Sequence, residues 1–283
     1  MGVLDGKVAV ITGSTRGFGL AMARAFAGAG AQVVVSSRSM EAVARAVELL
    51  RGEGAQVSGL ACDVGDLSQV EALAAHAVKR FGRFDVWVNN AALAPPYGPT
   101  ASIPVESFER ATRTNVLGAY YGSLVALRHF LPRGKGKLIN ILGRGERGPT
   151  PFQSGYAASK AWLRSFSLAM AKEYKDSGVD IFTLNPGMMP TDMLTNFEAV
   201  AGHTARVQLL GTVIRMWASP PEVPAQRAVW LASAATDGRT GLSVRMSRLP
   251  RMLAGVLREG VRRLFGRPAP PLDIQVRVVE PDQ

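Results

Sequence analysis

The sequence predicts an α/β protein, a doubly wound parallel sheet (Rossmann fold) in a single domain with a C-terminal extension. Three observations predict it. Short apolar runs alternate with segments of helical periodicity along the N-terminal third. A glycine-rich turn, Gly13-Ser14-Thr15-Arg16-Gly17-Phe18-Gly19, joins the first run to the first helical segment. Successive runs also end on residues suited to ligand contact, namely Gly13, Arg38, Asp63 and Asn89. In open α/β sheets, ligands bind beyond the carboxyl ends of the strands.

Residues 7–12, an apolar run closed by Gly13, read as a buried first strand, and residues 20–28 as the first helix. Residues 31–36 form the second strand at the distance a βαβ unit requires. Helix 40–51, strand 56–60, helix 68–80 and strand 84–88 follow. Residues 108–131 carry a strong helical pattern ended by Pro132. Strand 137–142 precedes a helix over 157–173, and a helix over 221–233 precedes a last sheet strand over 241–244.

Two constellations carry chemistry. Glycines between strand and helix let backbone N–H groups approach a pyrophosphate, which a helix N-terminus also favours. The spacing here is G-x-x-x-G-x-G rather than the commoner G-x-G-x-x-G. The second strand ends in Ser36-Ser37-Arg38 with no acid to hold a ribose 2′-hydroxyl. Arg38, with Arg16 in the loop, therefore favours the 2′-phosphate of NADP(H) over NAD(H). The second constellation is Tyr156 and Lys160, one helical turn apart in Y-A-A-S-K. An ammonium beside a phenol favours the phenolate, drawing its pKa from ~10 toward the range useful for proton exchange with a carbonyl or alcohol oxygen.

With these pieces in place the chain resembles the short-chain dehydrogenase/reductase family. The matching segments are T-G-S-T-R-G-F-G (12–19), C-D-V (62–64), N-N-A-A (89–92), Asn115 in T-N-V-L-G, Y-A-A-S-K (156–160) and N-P-G-M-M-P-T (185–191). The resemblance spans residues 5–244 and makes 1–244 a dinucleotide-binding domain, with 245–283 as an extension. It implies that Asp63 stands beside the adenine, Asn89 near the cofactor ribose, and Pro186 to Thr191 along the nicotinamide. Val64, Ala91, Gly187 and Met189 complete the implied cofactor-binding set. It further implies Tyr156 as acid/base, Lys160 as its electrostatic partner and a ribose ligand, and Asn115 as holder of a water in the proton relay. Residue type alone leaves Asn115 open as a polar group satisfied in a helix contact.

Two positions depart from the family pattern. Ala92 replaces the last glycine of N-N-A-G, adding one methyl. Gly143 stands where the resemblance places a catalytic serine, thirteen positions before Tyr156. Loss of one such donor costs ~10²–10³ in rate. A backbone N–H or water near residues 143–145 can stand in, as can Ser154; otherwise the protein is a cofactor-binding regulatory or scaffold protein with little activity.

Composition narrows the remaining possibilities. The 283 residues hold one cysteine, Cys62, so no internal disulfide forms, which fits a reducing, cytoplasmic setting. Long apolar runs and a signal-peptide pattern are missing, and Gly6 stands where a myristoylation motif needs Ser or Thr. His76, His129 and His203 lack ligand-like spacing, so no metal site is expected. The charged loop 144–149 reads as solvated surface. An apolar pattern over 192–218, including Val207 and Leu209, reads as a lid over an uncharged, hydrophobic carbonyl or alcohol substrate, or equally as core. The family is commonly a homodimer or homotetramer.

The net charge is +11, and residues 245–267 alone hold seven arginines and one glutamate, 7 − 1 = +6. Within them Met252, Leu253, Val256, Leu257, Val261 and Leu264 share a helix face, with Arg251, Arg258 and Arg262 opposite. The expectation is a helix packed on the domain or across a subunit boundary with its polar face solvated. Membrane-surface contact through 251–265 is the lesser reading. Pro-Ala-Pro-Pro (268–271) leads to an edge strand over 273–279. Arginines without interleaved aromatics do not make a nucleic-acid stacking platform.

Overall fold

A computed structural model describes residues 2–204, 210–246, 249–265 and 274–281. Val207, Leu209, the 268–271 segment and Asp273 lie outside the described residues, as do the side chains of Arg251 and Met252.

The first half alternates as the sequence predicts: β1 (Val8–Ile11), α1 (Gly17–Gly28), β2 (Gln32–Ser37), α2 (Met40–Gly52), β3 (Val57–Ala61), α3 (Leu67–Phe81) and β4 (Val86–Asn89). Helix α2 starts at Ser39, whose hydroxyl accepts from the Ala42 N–H. Helix α3 starts at Asp66, which accepts from Ser68 and Gln69, and stops at Gly82 in the left-handed region. Next come α4 (Val105–Thr112), α5 (Gly118–Phe130), β5 (Gly136–Ile141), α6 (Ser154–Glu173) and β6 (Val179–Asn185). The helix expected over 108–131 is thus α4 and α5, joined through a π turn at Arg113–Leu117.

All seven strands of the main sheet run parallel in the order β3-β2-β1-β4-β5-β6-β8, where β8 is Ser243–Arg245. Period-two alternation sends Ala9, Ile11, Val33 and Val35 to one face, under α1, α2 and α9 (Glu222–Ala232). Val8, Val10, Val34 and Trp87 go to the other, under α3, α5 and α6. Both faces are buried, which explains why the strands read as apolar runs. Strand order reverses between β1 and β4, so the crevice opens there.

The region after β6 differs from expectation. Residues 192–217 hold α7 (Asp192–Thr195), a strand β7 (Asn196–Val200) and α8 (Leu210–Trp217). The extension supplies α10 (Leu249–Leu264) and β9 (Gln275–Val279). Strand β9 does not edge the main sheet. It pairs in parallel with β7, from Asn196–Gln275 to Val200–Val279, as a separate two-stranded sheet. Tyr97 holds the other edge of β7, its N–H donating to Glu198 O at 2.8 Å.

Helix α10 packs on α8, but with the opposite face to the one expected. Gly255 and Glu259 are buried, whereas Leu253, Val256, Leu257, Val261 and Leu264 are exposed. Glycine at 255 decides this, because a Cβ there would lie 1.9 Å from Met216 O. Only a bare backbone permits so close a crossing.

Candidate active site

The crevice is a cavity of about 890 Å³ running from the glycine loop to the lid. Its floor is built from strand ends. Asn90 Nδ2 donates to Thr12 O and Gly13 O, both at 2.9 Å, while Thr12 Oγ1 accepts from the Asn90 and Ala91 N–H groups. These bonds fix the loop against β4. A Cβ at Gly19 would lie 2.1 Å from Gly13 O, and one at Gly13 would lie 2.8 Å from Ala91 Cα, with Gly13 at φ +61°. The cradle therefore admits backbone only. Arg16, at the start of α1, makes no side-chain cap bond, which leaves the first-turn N–H groups of α1 for an anion. This geometry fits a dinucleotide pyrophosphate.

Of the implied cofactor set, Gly13, Thr15, Arg16, Gly17, Phe18, Gly19, Ser37, Arg38, Asp63, Val64, Ala91, Pro186, Gly187, Met189 and Thr191 line this cavity, with Tyr156 and Lys160. Three expected site residues do not. Ser14 is buried and donates to Ile11 O at 2.6 Å while accepting from Ser36 N–H, so it staples the loop to β1 and β2. Asn89 turns into the core, accepting from Trp87 Nε1 and donating to Ala119 O, Ser123 Oγ and Asn140 Oδ1. Its neighbour Asn90 takes the wall position instead. Asn115 Oδ1 accepts from the Leu93 N–H, and its Nδ2 donates to Leu93 O and Ser159 Oγ. Its side chain thus clamps the chain after β4 to α6. In the π turn around it the Gly118 N–H pairs five residues back, with Arg113 O.

Arg16 Nη1 lies 3.0 Å from Asp192 Oδ2, a pair that joins the loop to the lid across the mouth. Both side chains are more than half exposed, so the link is weak. Arg38, just past the β2 end, and Asp63, just past the β3 end, both line the cavity.

Tyr156 and Lys160 sit one turn apart on α6, with Lys160 Nζ 5.7 Å from the Tyr156 ring centroid. Lys160 Nζ donates to Ile141 O at 2.9 Å. Burial pushes the phenol up to about 12 and the ammonium down to about 8. The phenol's shift runs opposite to the sequence expectation, because loss of water from both groups outweighs their mutual effect at this separation.

At Gly143 a Cβ would lie 2.4 Å from Tyr156 Oη. The tyrosine hydroxyl therefore fills the space a serine's Cβ needs. Ser154, the hydroxyl considered as a substitute, bonds Thr100 Oγ1 at 2.9 Å on the exposed side. Gln153, which the sequence reading passed over, lines the cavity with Tyr156. Asn185 Nδ2 holds the Gly143 carbonyl at 3.2 Å. The 144–149 loop is not simply solvated either: Glu146 is buried, 3.6 Å from Arg147 and 3.9 Å from Arg245.

The sequence pattern missed much of the substrate wall. Tyr97, Ser107, Thr114 and Phe197 line the cavity, together with Val213 and Trp217 of α8. The apolar pattern over 192–218 points to Phe197, Val213 and Trp217 as a lid, whereas Tyr97, Ser107 and Thr114 lie outside it and have no sign in the sequence. Among the described residues no group of three or more His, Cys, Asp or Glu is placed to hold a metal ion, and no helix is long and apolar enough to cross a membrane.

Comparison with known proteins agrees with this geometry. The short chain dehydrogenase family matches residues 7–201. The 3beta-hydroxysteroid dehydrogenase 1 of Eggerthella lenta is 35% identical over 243 residues, covering 85% of this chain and 92% of that protein. Among solved structures, a variant of the actinorhodin polyketide ketoreductase with NADPH superposes with TM-score 0.78 at 27% identity, covering 88% of this chain and 98% of that one. The 3-ketoacyl-(acyl-carrier-protein) reductase of Brucella melitensis, complexed with NADH, gives 0.77 at 29%, covering 86% and 97%.

Proposed function

We propose that this chain, which belongs to the short-chain dehydrogenase/reductase family, is an NADP(H)-preferring oxidoreductase acting on the carbonyl or secondary alcohol of a small hydrophobic substrate. The observation that carries the proposal is the Tyr156–Lys160 pair, Lys160 buried and Tyr156 half-buried, on the wall of the cavity that the glycine loop also lines. The nicotinamide supplies or accepts the hydride. Gly13, Gly17 and Gly19 with the N-terminus of α1 would hold the pyrophosphate, Asp63 and Val64 the adenine, and Arg38 with Ser37 the 2′-phosphate. Residues 186–191 would bound the nicotinamide.

Tyr156 Oη exchanges a proton with the substrate oxygen. Its neutral form, favoured by burial, is the form that donates in carbonyl reduction, and the phenolate is the form that accepts in alcohol oxidation. Lys160 holds its ammonium near Tyr156 and opposes that burial as the site charges. Asn115 fixes the chain at Leu93, beyond β4, and Ser159 of α6 around the relay. Gln153 lines the same cavity as Tyr156 and Gly143.

The apolar lid residues Phe197, Val213 and Trp217 support a hydrophobic substrate. Exposed Val105, Phe108, Leu117 and Tyr120 on the α4–α5 face support a homodimer or homotetramer. Buried, unpaired Cys62, pushed up to about 12 by burial, suits a reducing cytoplasm. The non-catalytic scaffold reading rests on Gly143 and the appended tail and is not favoured.

The test is titration of purified protein with NADPH and NADH, then a carbonyl panel on the same sample. NADPH binding is expected to be the tighter, with turnover that falls ~10²–10⁴-fold in Tyr156→Phe while NADPH binding is kept. Cofactor binding with no turnover across the panel would reinstate the scaffold.

A further inference from the structure

We propose that α10 seats the enzyme on an anionic membrane surface, with its apolar stripe as the contact. On a helix of 3.6 residues per turn, Gly255 and Glu259 mark the side docked on α8. Leu253, Leu257 and Leu264 project from the other side, exposed by 66%, 70% and 81%. Val256 and Val261 flank them at 54% and 43%. So large an outward apolar stripe on a helix already packed by its other face is a binding surface, since solvent gains nothing from it.

Charge selects the occupant. Residues 245–267 hold seven arginines against one glutamate, within a chain of net charge +11. Pairing this stripe with a second copy would bring two such segments together and repel. An anionic bilayer attracts so basic a segment, in which Arg258 and Arg262 are held on the docked side behind the apolar stripe that makes the contact. The docking is firm: Arg258 Nη2 donates to Arg215 O at 2.5 Å, and the Gly255 crossing holds the helix axis close to Met216. The helix is therefore presented by the folded body. Its support, α8, lines the cavity with Leu210, Val213 and Trp217. If the oxidoreductase reading holds, a substrate dissolved in the bilayer would meet the lid side of the site first.

The test is co-sedimentation of the full chain with vesicles of phosphatidylcholine alone and of phosphatidylcholine mixed with phosphatidylglycerol. No cofactor or substrate is added, so the result is independent of turnover. Wild type is expected to partition at least about tenfold more strongly into the anionic vesicles, with the excess removed by raised salt. The triple variant Leu253→Glu, Leu257→Glu, Leu264→Glu changes only exposed positions and is expected to keep its circular dichroism while losing at least about tenfold in partition. Wild type that stays in the supernatant with both vesicle types at low salt overturns the proposal whether or not the variant folds. Analytical ultracentrifugation showing an oligomer that the triple variant splits, without vesicle binding, overturns it in favour of a second copy.

Discussion

Replacing Gly143 by alanine tests whether the tyrosine hydroxyl sits where the chemistry needs it. The added Cβ would lie 2.4 Å from Tyr156 Oη, and ordinary contact begins at 3.4 Å, so the hydroxyl must move by 3.4 − 2.4 = 1.0 Å. Tyr156 is walled in on its α6 side by Ala157 and Lys160, both buried, and overpacking such a site costs about 1–3 kcal/mol. A displacement of about 1 Å at a reacting group costs on the order of 10² in rate. Gly143→Ala is therefore expected to lose about hundredfold in kcat, with KM for NADPH little changed and stability lowered by about 1–3 kcal/mol in denaturant unfolding. Gly143→Ser carries the same steric load plus a donor. It should exceed Gly143→Ala by up to ~10²–10³ if its hydroxyl reaches the substrate oxygen. Steady-state NADPH oxidation with the best carbonyl of the panel measures all three proteins. An alanine variant with unchanged kcat and unchanged stability would refute the reasoning, because Tyr156 Oη could then not occupy that space in the working enzyme.

Three further outcomes follow from the same geometry. Arg38→Glu is expected to weaken NADPH binding by about 10–100-fold and to leave NADH binding nearly unchanged; equal losses in an equilibrium titration would remove Arg38 as the phosphate reader. Lys160 has a folded pKa of about 8 against 10.5 unfolded, so below pH 8 both states hold the proton and the burial penalty is fully present. Between about pH 8 and 10 the unfolded state holds more protons and stability rises with pH, by an amount on the order of 2–3 kcal/mol, before Tyr156 begins to act in the opposite sense. A Lys160→Met variant should lack that rise in urea unfolding at a series of pH values. Deleting residues 274–283 removes the partner of β7, and is expected to raise substrate KM about tenfold with NADPH affinity kept and to speed proteolysis within 192–204.

What was legible in the sequence is what is local or periodic. V-A-V-I and Q-V-V-V-S-S announce buried strands because alternate residues face two covered sides of one sheet. The glycine loop is legible because positions 13 and 19 lack room for any side chain. Strand β6 escaped notice because V-D-I-F-T-L-N carries polar residues at buried positions. Asp180 accepts from the Gly238 N–H and Thr183 donates to Ser243, partners about sixty positions away. Strand β7 was missed for a related reason: N-F-E-A-V is held by Tyr97 on one edge and by β9 on the other, and neither is a neighbour in sequence. The face of α10 was misassigned because apolar periodicity marks a stripe without saying which way it points. Gly255, which carries no hydrophobic signal, set the direction.

These non-local pieces divide the cavity into two walls of different stability. The wall of strand ends bears Gly13, Arg38 and Asp63, with Lys160 of α6 bonded to Ile141 O of β5, and it is continuous with the seven-stranded core, which makes it the more stable wall. The opposite wall, Phe197 on β7 with Val213 and Trp217 on α8, is backed by β9 and α10 of the extension. Its link to the glycine loop across the mouth is the exposed Arg16–Asp192 pair. Perturbing the extension must therefore act on substrate entry and fit before it reaches the hydride and proton steps. That ordering separates KM effects in the tail from kcat effects at Tyr156 and Gly143.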